Sequence, residues 1–226
     1  MLDILKSNFF VVLYAITWAL SILKLPKYFD STLKYFPIII GYTLCTEILG
    51  ALIRSVPDFT LFSDEKYASY TLLIYNIYDL FFFTFFFFVY WKSIKAAKYK
   101  TLIKYGACIY LICLAINAIL VNPMLFELWH AYVLGSLFLI TICITYLYQL
   151  WQQNKLIDYA SNLLFWISIG LIIFHLGYAP ITVFKNLNLS ITSNEFNMLR
   201  SVHISLIIIM YTSFIVGLIK MKRYRH

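Results

Sequence analysis

Charge is scarce in this chain: ten Asp and Glu and eighteen Lys and Arg among 226 residues, 12% of the total. Water-soluble domains carry about twice that share, and with 62% hydrophobic residues and a mean hydropathy of +0.82 the composition is that of an integral, polytopic membrane protein. Cysteine is limited to Cys45, Cys108, Cys113 and Cys143, all within apolar segments and without CxxC spacing, which points to reduced thiols and away from disulfides or a cysteine metal site. No small-residue cleavage site follows the first apolar run, so that run is expected to be retained as a span. A separate basic face is also missing. The net charge of +8 comes from residues at span ends and in short loops, a pattern of membrane topology that leaves no role for nucleic acid. No motif implies a cofactor.

What the chain does have is a run over 67–91 without Lys or Arg, carrying Tyr75-Asn76-Ile77-Tyr78-Asp79 and then seven Phe within 81–88. A helix crosses a bilayer core with about 20 apolar residues, and this run suffices. Seven such segments can be placed, over 7–24, 35–54, 68–91, 104–121, 130–150, 161–183 and 198–219. The expected fold is an all-α bundle of seven transmembrane helices in contact with the lipid bilayer. No connection exceeds about 15 residues, so any action in the cytoplasm calls for a cytoplasmic or membrane signalling partner.

Lys and Arg near span ends set orientation. With the N-terminus outside and the C-terminus inside, thirteen of the eighteen fall on the cytoplasmic side: Lys24, Lys27, Lys34, Lys92, Lys95, Lys98, Lys100, Lys104, Lys155, Lys220, Lys222, Arg223 and Arg225. Lys6, Arg54, Lys66, Lys185 and Arg200 are the outer set. Trp91, Trp129 and Trp151 fall at span ends, where amphipathic rings sit at headgroup level. The outer connections carry Pro57, Asp58, Asp64 and Glu65, then the polar stretch 185–197 with the sequon Asn188-Leu189-Ser190. A shift of 127 residues lays spans one to three over spans five to seven and places Gly50 on Gly177 and Asn76 on His203, the layout of a three-plus-one-plus-three repeat.

Polar residues inside the spans are the candidate site. At about 1.5 Å of rise per residue, Asp79 falls near the midplane, with Glu47, Asn76, Asn117, His175 and His203 roughly 3–8 Å outward of it. Six groups from five spans thus share one layer, and these are the expected ligand-binding residues. Asn76 and Asp79 lie on one helical face, flanked by Tyr75 and Tyr78, while Phe85, Phe86, Phe87 and Phe88 either seal the site on its inner side or meet lipid. Gly177 and Pro180 favour a kink near His175. An aspartate at this depth costs about 2.5–3.5 kcal/mol on insertion scales and normally faces a bundle interior or wet cavity. With no Lys or Arg at the same depth, Glu47 and Asp79 either carry a proton, pair with imidazolium, or hold a cation or water. The competing account is an interhelical hydrogen bond at each group.

The run Phe165-Trp166-Ile167-Ser168-Ile169-Gly170-Leu171-Ile172-Ile173-Phe174, with Gly177 following, in a bundle of this size resembles uncharacterised seven-span inner-membrane proteins of the Bacteroidota. The resemblance implies a bacterial inner membrane and a companion of two-component signalling proteins. A retinal pigment is excluded, because the only lysine of the last span is Lys220 at its end. The HxxxH pair of seven-span zinc hydrolases is missing too, since Ile207 stands four residues after His203. Three functional readings stand: a sensory or ligand-binding module with an outward-facing polar pocket, a small-solute transporter of three-plus-one-plus-three type, and a metal-dependent hydrolase with Glu47, Asp79, His175 and His203 as an O2N2 site.

In a cysteine-free background, single cysteines placed over 184–197 are expected to react with an impermeant maleimide from outside. Those over 92–101 should react only after permeabilisation. External labelling of 95–100 would reverse the orientation.

Overall fold

The computed structural model describes residues 10–56, 72–152, 159–187 and 192–222. Seven helices account for nearly all of them: α1 (Phe10–Tyr28), α2 (Phe36–Ser55), α3 (Leu72–Ser93), α4 (Ala97–Leu120), α5 (Trp129–Gln152), α6 (Leu163–Leu187) and α7 (Ser193–Lys220). Each contains a segment long and apolar enough to cross a membrane. The protein is a polytopic membrane protein built as a seven-helix bundle, since a hydrocarbon solvent obliges each span to satisfy its own backbone hydrogen bonds. The features expected at Lys6, at 57–66, at Lys155, at 188–190, and at Arg223 and Arg225 lie outside the described residues, as do the starts of the first and third expected spans.

The helices pack as a closed ring of six: α1 against α2, α2 against α3, α3 against α5, α5 against α6, α6 against α7, and α7 back against α1. The fourth helix stands outside this ring, seated between α3 and α5, and turns Ile109, Ile112, Ile116 and Ile119 outward. Close approach of α6 and α7 depends on small residues. Ser213 Oγ donates to the Trp166 carbonyl at 2.6 Å, and a Cβ on Gly217 would stand 2.8 Å from that of Trp166, a small-xxx-small contact of the kind that joins helices in lipid.

Four helices run four or more residues beyond their expected limits, among them α6, which continues to Leu187. α1 continues to Tyr28 through Pro26, and the Tyr28 hydroxyl donates to the Ser21 carbonyl at 2.6 Å near the turn where proline removes a donor. α4 begins seven residues early, at Ala97, so Lys98, Lys100 and Lys104 belong to its opening turns, and the Lys100 and Lys104 ammonium groups turn onto the Trp91 ring. α7 starts at Ser193 behind a reciprocal capping box of Thr192 and Glu195. α6 runs unbroken through Gly177 and Pro180.

The half of the ring nearest the α1–α2 connection is packed solid with Phe36, Phe83, Phe86, Tyr90, Ile167 and Phe214, all essentially inaccessible. Of the phenylalanines expected to seal or to meet lipid, Phe86 and Phe87 are buried while Phe88 is exposed, so the run does both, as helical periodicity requires.

Gly170 tests the α6–α7 contact, because a Cβ there would meet the Met210 carbonyl oxygen at 3.0 Å and the Phe214 ring at 3.1 Å. Gly170→Leu is expected to cost about 1–3 kcal/mol through overpacking and to lower the melting temperature in detergent by several degrees. An unchanged melt would mean that the helices are not this close.

Candidate ligand-binding site

The other half of the ring encloses a cavity of about 440 Å³. Each of the six ring helices contributes to its wall, α4 contributes nothing, and the α4–α5 connection adds Glu127. The cavity lies toward the end of the bundle at which α1 begins: Leu72 and Phe196, from the first turns of α3 and α7, are at its rim, and Phe82, Ile207, Met210 and Tyr211 are at its deep end.

Five of the six expected site residues line this space: Glu47, Asn76, Asp79, His175 and His203. Asn117 does not. It sits on α4, outside the ring, where it is buried and its Nδ2 lacks a partner among the described residues. Depth alone grouped it with the others; the position of α4 removes it.

Asn76 lines the cavity, yet its amide is committed to the backbone. Nδ2 donates to the carbonyls of Pro123 at 2.8 Å and Phe126 at 3.0 Å, and Oδ1 accepts from Leu128 N–H at 3.1 Å. One side chain thus clamps the α4–α5 connection and fixes Glu127 beside the cavity. Glu127 Oε2 accepts from Asn186 Nδ2 at 3.3 Å. Burial pushes the Glu127 carboxyl above the usual carboxylate range, opposed by the Asn186 hydrogen bond and the Lys185 ammonium.

Asp79 is held by its helix and by Tyr110, whose hydroxyl donates to the Asp79 backbone carbonyl at 3.3 Å. Its carboxyl has no hydrogen-bond or ion-pair partner among the described residues. His175 is almost completely buried. Its Nδ1 lies 3.0 Å from Ser136 Oγ and 3.3 Å from Tyr132 Oη, while its Nε2 is buried without a partner among the described residues. His203 stacks on Tyr178, with ring centres 4.0 Å apart and planes at 22°.

Aromatic rings make up most of the remaining wall: Tyr14 packs edge-on against Tyr211 at 4.4 Å, Tyr78 leans on Phe82 at 5.5 Å, and Tyr132 meets Tyr178 edge-on at 5.5 Å. Tyr78 is further fixed through Thr43, whose Oγ1 lies 3.3 Å from the tyrosine hydroxyl. Basic groups stay at the rim. Arg200 is exposed there, and the Lys185 ammonium lies 5.9 Å from the ring centres of both Tyr178 and Phe196.

The O2N2 zinc set is not assembled: among the described residues no group of three or more His, Cys, Asp or Glu is placed to hold a metal ion. Among the site side chains that sequence reasoning passed over are Glu127, Tyr14, Tyr132, Tyr178 and Tyr211. Glu127 had a usable signal, being the only acid between Asp79 and Asp158 and lying two residues before Trp129. The tyrosines had none, because a tyrosine on an apolar helix reads the same whether it faces a cavity or a neighbour.

The two asparagines should respond in opposite ways. Asn76→Leu removes three hydrogen bonds and orphans the backbone groups they served, an expected loss of about 3 kcal/mol. Asn117→Leu removes an unsatisfied buried amide and is expected to leave the melting temperature unchanged or raise it. Thermal unfolding of both variants in one detergent checks the contrast, and equal destabilisation would refute it.

No protein-family model, curated protein or solved structure matches the chain.

Proposed function

We propose that this protein is a ligand-binding membrane module: it takes up a small organic cation from the outer side and passes its occupancy to a cytoplasmic or membrane partner. The observation that carries this reading is Asp79, a carboxyl without a partner among the described residues in the wall of a 440 Å³ cavity. That volume suits a small organic molecule. A carboxylate enclosed by a bundle calls for a proton or a cation, and the cavity wall offers the Asp79 carboxyl together with Glu47. Tyr14, Tyr78, Tyr132, Tyr178 and Tyr211 surround these acids with π faces that attract an ammonium group. Reception from outside follows the lysine asymmetry of the sequence, and the signalling role follows the resemblance of the α6 motif to inner-membrane companions of two-component proteins. The need for a partner follows from connections too short to fold a domain.

One observation favours transport as a second reading. A ring of α1–α3 and α5–α7 with α4 outside it fits a three-plus-one-plus-three carrier. Flux of the bound cation across proteoliposomes would support it, and saturable binding without flux supports the module.

The test uses the purified full chain in detergent with phenethylammonium as probe and phenylacetate as its anionic counterpart. A ligand bound only by the folded state stabilises it by about 2.7 kcal/mol at a hundredfold excess over Kd. The melting temperature is expected to rise with phenethylammonium and not with phenylacetate. Asp79→Asn keeps the side-chain volume and should melt within a few degrees of wild type while losing the response. A wild-type response in both Asp79→Asn and Glu47→Gln would return these carboxyls to helix packing.

A further inference from the structure

A second concavity lies at the opposite end of the bundle and outside the ring. It is a groove of about 180 Å³ between α3 and α4, walled by Phe87, Phe88, Ile103, Ala107, Tyr110 and Leu111. From Trp91 and Lys104 at one end to Thr84 and Leu111 at the other it extends seven residues along each helix, roughly 10 Å. Three ammonium groups converge at the Trp91 end, with Lys104 at 5.4 Å, Lys92 at 5.8 Å and Lys100 at 5.9 Å from the Trp91 ring. Trp91 lines the groove, and its Nε1 is buried without an acceptor among the described residues.

Among the described residues no anion faces these three ammonium groups. Three like charges around one ring repel each other, and no Asp or Glu occurs between Asp79 and Glu127, the whole stretch that builds the groove. None of the three lysines has an ion-pair partner among the described residues. Attraction to the π face offsets part of the repulsion, but it leaves the indole N–H unsatisfied and the net charge in place.

We propose that the groove is a binding site for an anionic phospholipid. The phosphate sits among Lys92, Lys100 and Lys104 and accepts from Trp91 Nε1–H, and one acyl chain lies along the apolar walls. A free phosphate would use the cations and leave the apolar length idle; a zwitterionic lipid would fill that length and bring a cation of its own against the lysines. Only an anionic lipid uses both. Lysines of this kind near a membrane surface each strengthen anionic-lipid binding by about fivefold. The site is independent of the cavity around Asp79.

Native mass spectrometry of the full chain, released from detergent after exchange with phosphatidylglycerol or phosphatidylcholine, reads the retained lipid. Wild type is expected to keep phosphatidylglycerol at an activation that strips phosphatidylcholine. Lys92→Gln, Lys100→Gln and Lys104→Gln combined should weaken retention by about a hundredfold, and Trp91→Phe should weaken it while keeping the ring. If the triple variant does not fold, Lys100→Gln alone should give about a fivefold loss. Inorganic phosphate should neither compete with the lipid nor raise the melting temperature. Equal retention of the two lipids, full retention by the lysine variants, or displacement by inorganic phosphate would each overturn the proposal.

Discussion

Carboxyl groups at bilayer depth govern how this bundle is arranged. Hydrocarbon offers Asp79 and Glu47 neither hydration nor a counter-charge, and exposing an acid to lipid costs several kcal/mol. The ring answers by turning both inward, from α3 and α2, onto a space shared by six helices. Enclosure then constrains the neighbours. Tyrosines line the wall because they present an apolar ring to the packed helices and a hydroxyl to the polar interior. The connection bearing Glu127 must be held in place, and Asn76 does this with three backbone hydrogen bonds. Asn76 is thereby a structural element of the site, although it stands one turn from Asp79 on the same helix.

Much of this was legible in the sequence, and the misses have specific physical causes. Hydropathy locates where a chain is apolar, not where its helix ends, so α4 was cut short at its lysines although lysine is a good helix former whose stem tolerates the headgroup region. The start of α7 was written in the chain: Thr192-Ser193-Asn194-Glu195 has capping-box spacing, and the structure closes both of its hydrogen bonds. Residue depth could be counted along each span, which grouped Glu47, Asp79, His175 and His203 with Asn117. Which helix leaves the ring cannot be counted that way. It depends on packing among all seven helices, and α4 is the one that leaves.

The two ends of α3 differ in chemistry. Tyr75, Asn76, Tyr78, Asp79 and Phe82 line the cavity, and twelve residues separate Asp79 from Trp91 at the groove, roughly 18 Å of helix. The middle is a buried aromatic spine. Phe83 packs against Tyr110, Tyr132 and His175 at 5.2–5.6 Å, and Tyr90 reaches Ser168 of α6 through a 2.7 Å hydrogen bond. Interiors packed this way have few voids and transmit strain.

That spine also weighs on the choice between binding and passage. A solute crossing the ring would have to leave the cavity through the layer of Phe36, Phe83, Phe86, Tyr90 and Phe214, each at most 1% exposed, and dislodging them would break the Tyr90–Ser168 bond as well as their mutual contacts. Truncating a buried phenylalanine costs about 3–5 kcal/mol, which sets the scale for unseating even one of them. A ligand held at Asp79 disturbs none of this layer. The floor of the cavity is therefore the part of the molecule that a carrier would have to rebuild in each cycle, and a receptor would only have to lean on.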